Sequence, residues 1–324
     1  MADGQGRLVA VVVTHNRLEQ LKLTLARLLE SGPQALAAVV VADNASSDGT
    51  PEWLAAQQDA RLVVTRSQEN CGGAGGFARG MALAMADCAP DWLVLMDDDG
   101  RPHPGALEAF HGLDLTGWDG IAAAVYFPDG EICEMNRPSR NPFWHGRVFL
   151  RSLLRLGGRS GFHLDPGVYA GTEPVSIDIT SFVGFFVRAE AVRAAGYPDP
   201  ALFVYGDDGL YTLGLRKAGR RLAFHPGVRF EHALSTFAGQ RGRFRPLWKV
   251  YYYHRNLALL YRAAAGLWFW PLMAVIGPRW LLKGRSHAGE RRAFYRLLRA
   301  ALRDGLRRDL SRDHAAVLRL AEEG

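Results

Sequence analysis

"DWLVLMDDDG" (Asp91–Gly100) runs a short apolar stretch straight into three consecutive carboxylates. The apolar stretch has the length of a buried strand, and the carboxylates stand where it ends. Two like charges about 4 Å apart repel by roughly 1 kcal/mol in water and roughly 4 kcal/mol at a surface-like dielectric. A positive partner is therefore expected beside Asp97, Asp98 and Asp99, and the flanking sequence indicates which fold supplies it.

Upstream lie three strand–helix units. "RLVAVVVTHNR" (7–17) is a Val-rich strand closed by polar residues, and "LEQLKLTLARLLESG" (18–32) spaces Leu18, Leu21, Leu25, Leu28 and Leu29 at helical intervals. "AAVVVADNASSDGT" (37–50) repeats the pattern, with Asp43 and Asn44 at the strand end and a helix from about Pro51. "ARLVVTRSQENCGGAGGFARGMALAMA" (60–86) adds a third strand, a glycine-rich turn and a helix. Strands alternating with helices predict right-handed crossovers and a mainly parallel sheet. Ligands of such sheets sit at the carboxyl ends of the strands. Thr14, Asn16, Arg17, Asp43, Asn70 and Asp97–Asp99 all fall there.

Downstream, residues 120–175 lack periodicity and read as partly loop, a candidate flap. "SIDITSFVGFFVRAEAVRAAG" (176–196) reads as one strand entering a helix. "LFVYGDDGLYTLGLRKAG" (202–219) puts Asp207 and Asp208 at a helix start, and "RRLAFHPGVRFEH" (220–232) is a strand ending at Glu231 and His232.

Composition bounds the partners. The 324 residues are 48% hydrophobic and 22% charged, enough for a sizeable core. Residues 1–239 carry 21 Lys+Arg against 27 Asp+Glu, whereas residues 240–324 carry 18 against 6. This shift sets an expected boundary near residue 240, with a catalytic unit over 1–240 and a basic helical region over 241–324. Zinc-finger spacing, RNP-like aromatics and a helix-turn-helix pattern are missing, so nucleic acid is not an expected partner. Met1–Leu8 has no apolar signal-like run, and Cys71, Cys88 and Cys133 show no metal-like spacing. A cytoplasmic protein is the expectation.

Alternation along a strand would point Asp97 and Asp99 together and Asp98 away. Two converging hard oxygen ligands suit Mg2+ or Mn2+, with His232 as a candidate third ligand. "NCGGAGGF" (70–77) has neither the dinucleotide nor the P-loop spacing. Gly72 and Gly73 still permit close backbone approach to an anion at a helix start, or serve only to pack helix on sheet. Of Asp207 and Asp208, one is expected to cap its helix and the other to act as a general base.

Taken together, "VVVTHNR", "VVADNASSDGT", "NCGGAGGFARGM", "WLVLMDDDG", "FVYGDDGLYTLGLRKAG", "RFEH" and "YYYHRN" resemble, in order, family 2 glycosyltransferases of the GT-A fold. The similarity is greatest to bacterial galactofuranosyl and rhamnosyl transferases of cell-surface glycan assembly, and it covers about residues 7–262. It implies a Rossmann-like α/β sheet flanked by helices. It implies that Asp97, Asp99 and His232 hold a divalent cation on the diphosphate of a nucleotide sugar. It further implies that Asp208 is the base beside Asp207 and that Asp43 contacts the nucleotide base. Thr14, Asn16, Arg17, Asn70, Gly72, Gly73 and Asp98 complete the expected donor site. Relatives often carry a further acidic residue where this chain has Leu210.

The expected reaction is inverting transfer, most readily from UDP-galactofuranose to a glycolipid or polysaccharide hydroxyl, with dTDP-rhamnose as the alternative donor. A nucleotidyltransferase would need a Gly-rich, basic loop after the first strand, where "THNR" stands. A catalytically silent glycan-binding scaffold would tolerate Asp97→Ala and Asp208→Asn.

In the basic region, "AAAGLWFWPLMAVIGP" (263–278) is too short for the ~20 residues that span a bilayer. Trp268, Phe269, Trp270 and Trp280 beside Arg279, Lys283 and Arg285 read instead as an interfacial anchor for an anionic membrane. Phe294, Leu298, Leu302, Leu306 and Leu310 form an apolar stripe opposite arginines, suited to packing within the chain, on a second copy or on lipid. A peripheral position on the inner face of the cell membrane follows as the expected location.

Overall fold

A computed structural model of the chain describes residues 6–155, 157–233 and 243–322. The three upstream units form as expected: β1 (Leu8–Thr14), α1 (Leu18–Glu30), β2 (Ala38–Asp43), α2 (Thr50–Ala55), β3 (Leu62–Arg66) and α3 (Gly72–Asp87). β4 (Trp92–Asp97) follows. All seven residues of β1 are buried. Leu8, Ala10 and Val12 enter the core on one face of the sheet, and Val9, Val11 and Val13 enter the core on the other. Burial on both faces is why these strands read as unbroken apolar runs rather than alternating ones.

The nine-stranded sheet has the order β3-β2-β1-β4-β8-β6-β9-β5, with β7 also on β9. Here β5 is Gly100–Pro102, β6 Gly120–Tyr126, β7 Val175–Ile177, β8 Phe185–Arg188 and β9 Leu222–His232. From β3 to β4 all pairings are parallel, but β8 runs antiparallel to both β4 and β6, and β5 and β7 run antiparallel to β9. The sheet is thus mixed rather than mainly parallel.

The unperiodic region contains a central strand. β6, the Ala-rich run "GIAAAVY", pairs with β8 and β9 and is buried from Gly120 to Val125. The stretch 176–188 holds two strands, not one: β7 pairs with β9, and β8 inserts between β4 and β6.

The remaining helices are α4 (Ala106–His111), α5 (Gly146–Leu154), α6 (Ala189–Ala195), α7 (Asp207–Lys217), α8 (Lys249–Ala265), α9 (Phe269–Leu282), α10 (Arg291–Arg307) and α11 (His314–Glu322). The expected boundary near residue 240 lies outside the described residues. The C-terminal helices have their own core, yet Phe203 from the strand-rich part belongs to it, stacked on Tyr252 with ring centroids 4.8 Å apart. On α10, Phe294, Leu297, Leu298 and Ala301 are buried in that core. Of the expected stripe, Phe294 and Leu298 are thus in this core and Leu302 packs against it, whereas Leu306 is half-buried outside it and Leu310 lies beyond the end of α10. Gly305 lets α10 approach α8, since a Cβ there would stand 2.9 Å from the Arg255 carbonyl.

Of the expected interfacial anchor, Phe269 and Trp280 are buried, whereas Trp268 and Trp270 are exposed. The helical run Lys249–Ser286 is long and apolar enough, by length and composition, to cross a membrane. It is interrupted by a single 3-10 turn at Gly266–Trp268, and α8 carries buried His254, Arg255 and Asn256.

Candidate active site

β4 stops at Asp97, and Asp98 and Asp99 form the turn into β5. Strand alternation therefore ends before the last two carboxylates, and both are reached by one guanidinium. Arg17, just before α1, is ion-paired through Nη1 to Asp99 Oδ2 and, at 3.3 Å, to Asp98 Oδ1. Asp98 also accepts from Thr14 Oγ1 at 2.8 Å, and its carbonyl accepts from Thr24 Oγ1 at 2.6 Å. The positive partner anticipated from the sequence is, for two of the three carboxylates, Arg17.

Asp99 Oδ1 faces His232 Nε2 at 3.2 Å, because Gly100 of β5 pairs with His232 of β9. His232 is buried, and its Nδ1 lies 2.7 Å from Asn136 Oδ1, while Asn136 Nδ2 donates to Ser181 at 2.8 Å. Nδ1 of His232 thus faces the amide of Asn136, and Nε2 is the nitrogen turned toward Asp99.

The charges shift accordingly. Burial, then Asp99 and Asp98, push Asp97 up to about 8, with Asp207 contributing in the same direction. Burial lifts Asp98 to about 6 against the pull of Arg17. For Asp99 burial acts upward too, but the hydrogen bond and charge of His232 together with Arg17 outweigh it and hold the carboxyl below its ordinary value.

The opposite wall is the start of α7. Gly206 (φ 76°) precedes the helix, and neither Asp207 nor Asp208 caps it. Both aspartates lie inside the first turn, where Asp208 Oδ1 accepts from Gly209 N–H at 2.6 Å. Capping by one of the pair is thereby corrected. A glycine in the left-handed conformation makes the helix entry in place of a side-chain cap. Burial, then Asp208, raise Asp207 to about 7, and burial raises Asp208 to about 6.

The segment before α7 is held by Arg255 and Asn256 of "YYYHRN". Phe203 and Tyr205 have φ of 65° and 67°, conformations that cost of order 1–3 kcal/mol each. Asn256 Nδ2 reaches the carbonyls of Leu202, Val204 and Tyr205 at 2.8–2.9 Å. Arg255, fully buried against Tyr251 and Tyr252, donates to the carbonyls of Ala201 and Leu202. Lys249, at the start of α8, lies near enough to Arg17 that this charge adds to burial in lowering its pKa. These α8 residues escaped the sequence reading because their targets lie about fifty residues earlier, although the motif itself was visible.

At the second and third strand ends, Asp43 is buried, with Oδ1 accepting from Ser46 N–H at 2.9 Å and Oδ2 3.4 Å from Arg66 Nε. Asn16 is tied to the same loop: it accepts from Ser47 N–H at 2.7 Å through Oδ1. Asn70 Oδ1 accepts from Gly72 N–H at 2.8 Å and from Asn44 Nδ2 at 3.0 Å. Asn44, placed at the strand end by the sequence but given no role there, also accepts from Cys71 N–H and donates to the Gly72 carbonyl, fixing the glycine turn. Gly72 (φ 70°) abuts the Phe203 carbonyl, and Gly76 and Gly80 press α3 onto Val13 and Val11. These glycines do packing work. Gly73, with nothing within 4 Å of a would-be Cβ, alone leaves open space.

Asp97, Asp99 and His232 offer the oxygen and nitrogen donors that suit Mn2+ or Mg2+, and the raised Asp97 marks a site short of positive charge. They fit a divalent cation in kind. Among the described residues no three His, Cys, Asp or Glu side chains form a ready-made cage.

Residues 9–171 match the family described as "Glycosyl transferase family 2". The chain is 32% identical over 205 residues to the galactofuranosyltransferase GlfT1 of Mycobacterium tuberculosis, a match covering 61% of each chain. It is 33% identical over 204 residues to GlfT1 of Mycolicibacterium smegmatis, covering 61% of this chain and 62% of that one. The chain thus spans about three fifths of the curated relatives it matches. An undecaprenyl-phosphate mannosyltransferase of Micrococcus luteus is 31% identical over 160 residues, 46% of this chain and 61% of that one. Among solved structures, GalNAc-T7 with UDP, GalNAc and Mn2+ has a TM-score of 0.55 at 15% identity, covering 82% of this chain and 52% of that one. The mannosyltransferase PcManGT of Pyrobaculum calidifontis, in complex with GDP-Man and Mn2+, has a TM-score of 0.52 at 17% identity, covering 98% and 79%. These two neighbours share the GT-A fold.

Proposed function

The chain belongs to glycosyl transferase family 2, and we propose that it moves galactofuranose from UDP-galactofuranose to a hydroxyl of a glycolipid or cell-surface polysaccharide, inverting the anomeric centre. The observation that carries this reading is the nearness of two acidic elements, since the charge of Asp207 at the start of α7 adds to the raised value of Asp97 at the end of β4. The choice of donor is supported by the identity to the galactofuranosyltransferases.

Asp208 is the general base. Its raised value, about 6, leaves it ionised at neutral pH yet more basic than an ordinary aspartate. It takes the acceptor O–H proton as that oxygen bonds to the anomeric carbon. The bond from that carbon to the diphosphate breaks on the opposite face. Asp207, raised to about 7 by burial and then by Asp208, carries only part of a negative charge at neutral pH. Arg17 and Lys249 stand as cations for the phosphates, and Asp43, with Asn16, Thr14 and the Asn70–Gly73 turn, shapes the nucleotide end. Asp97, Asp99 and His232 would hold a divalent cation, which when bound would neutralise the departing nucleoside diphosphate. A lipid-borne acceptor puts the reaction on the cytoplasmic face of a bacterial membrane, a reading supported by bacterial relatives that include an undecaprenyl-phosphate enzyme.

The test has two parts. Thermal shifts with UDP, dTDP and GDP, each with and without Mn2+, should show metal-dependent stabilisation by UDP that disappears in Asp97→Ala/Asp99→Ala. Stabilisation by dTDP alone would move the donor to a rhamnosyl nucleotide. Turnover of UDP-galactofuranose should fall by about 10²–10⁴ in Asp208→Asn with UDP binding kept. Undiminished turnover would remove Asp208 as the base.

A further inference from the structure

Two segments without an acidic residue meet on one face of the molecule. Residues 135–164 contain six arginines and no Asp or Glu, and residues 232–289 contain nine Lys or Arg and again none; Arg255 is buried in the core, whereas Arg147, Arg151, Arg155, Arg159, Arg279 and Arg285 are exposed. The fold brings parts of them together. The rings of Phe149 on α5 and Trp268 before α9 lie 6.0 Å apart, and Asn141 Nδ2 donates to the Ala264 carbonyl at 2.9 Å. Asp178 fixes the foot of α5, accepting from Asn141 N–H at 2.7 Å and meeting His145 Nε2 at 2.7 Å and Arg216 Nε at 3.0 Å.

On this face the apolar side chains point outward. Leu150, Leu153 and Leu154 of α5 are 57%, 63% and 75% exposed, and Leu267, Trp268 and Trp270 are 97%, 56% and 61% exposed. Of sixteen exposed large hydrophobic residues among those described, eleven lie in 144–154 and 267–282, which makes this a patch rather than scatter.

We infer that α5 and α9 together form a docking surface for an anionic lipid bilayer. Leucine and tryptophan side chains enter the acyl boundary while the arginines meet lipid phosphates. A second copy is the poorer occupant, because a two-fold interface would set two acid-free basic faces against each other. α9 is 14 residues, about 21 Å, short of the ~30 Å hydrocarbon core; the turn at Gly266–Trp268 parts it from α8, whose His254, Arg255 and Asn256 are buried in the protein, so α9 lies in the interface. The surface also adjoins the reaction site. Leu260 of α8 stands 3.3 Å from the position of a Cβ on Gly209, next to Asp208, and the exposed Leu267 follows about 10 Å further along the chain. Presentation of a lipid-borne acceptor to Asp208 rests on the proposed reaction, whereas docking itself does not.

The experiment is co-sedimentation with vesicles of phosphatidylcholine alone and with 30% phosphatidylglycerol (about a third anionic lipid,), read together with the oligomeric state by light scattering. Wild type should bind the anionic vesicles. Leu153→Glu/Leu154→Glu and, separately, Trp270→Glu should each lower binding at least about tenfold. Melting temperature and UDP response should stay at wild-type level, since these side chains are solvent-facing. Absence of wild-type binding, binding unchanged in both variants, or a wild-type dimer that the variants split without lipid binding would each overturn the proposal. Because no turnover is read, failure here is separable from failure of the transferase reading.

Discussion

Asp97 and Asp99 are two residues apart and shift in opposite directions. Asp99 has His232 on one oxygen and Arg17 on the other, while Asp97 meets burial and three further carboxylates, so only Asp97 is pushed to about 8. An acid whose folded value lies above its unfolded one binds more protons when folded. It stabilises the fold fully below the unfolded value near 3.8, and that stability is lost as pH rises toward 8. Asp97→Asn should therefore raise the melting temperature of the metal-free protein at pH 8 by about 2–4 °C and flatten its decline between pH 6 and 8. It should also abolish stabilisation by Mn2+ with UDP. A variant that melts below wild type at pH 8 without metal would contradict this electrostatic account. The acidic cluster was legible because three carboxylates closing an apolar run have few structural explanations. The Arg17 pairings, with partners 81 and 82 residues away, were not, because spacing carries no information across that distance.

At the scale of elements, the loop before α7 shows what the sequence could and could not disclose. The βα units up to β4 are local patterns, each strand followed by its own helix, and all were readable. β6 and β8 were not, since their sheet positions depend on strands far away in the chain, and an Ala-rich run has no periodicity of its own. "YYYHRN" was recognisable as a motif without revealing that its Arg255 and Asn256 grip the 201–205 carbonyls. That grip is what offsets the left-handed conformations of Phe203 and Tyr205 and aims Asp207 and Asp208. Asn256→Ala leaves buried carbonyls unpaired, at about 1–3 kcal/mol. It should lower kcat by about 10–100-fold, with KM for the donor and the UDP thermal shift nearly unchanged. A loss confined to stability, with kcat intact in the folded fraction, would assign Asn256 to the fold alone.

Across the whole molecule, the charge asymmetry suggested an acidic catalytic unit carrying a separable basic tail, and the packing does not divide there. Phe203 is buried in the core of the C-terminal helices, His314 of α11 stacks on it with centroids 4.2 Å apart, and α8 supplies the side chains that hold the loop before the base. The helical region is thus both a candidate membrane contact and a structural wall of the reaction site. A pure anchor could be removed at little cost to chemistry on a soluble acceptor. A chain ending at residue 233 should instead lose turnover of UDP-galactofuranose with a soluble acceptor by at least about 10³-fold, because the loop before α7 loses Arg255 and Asn256 together. Leu153→Glu/Leu154→Glu, in contrast, should leave turnover on that soluble acceptor within about twofold while depressing it on a vesicle-borne one. Comparing the two variants on the two acceptors separates the wall from the anchor. Full soluble-acceptor turnover by the truncated chain would show that residues 6–233 position Asp208 unaided, and that the α8 contacts are incidental.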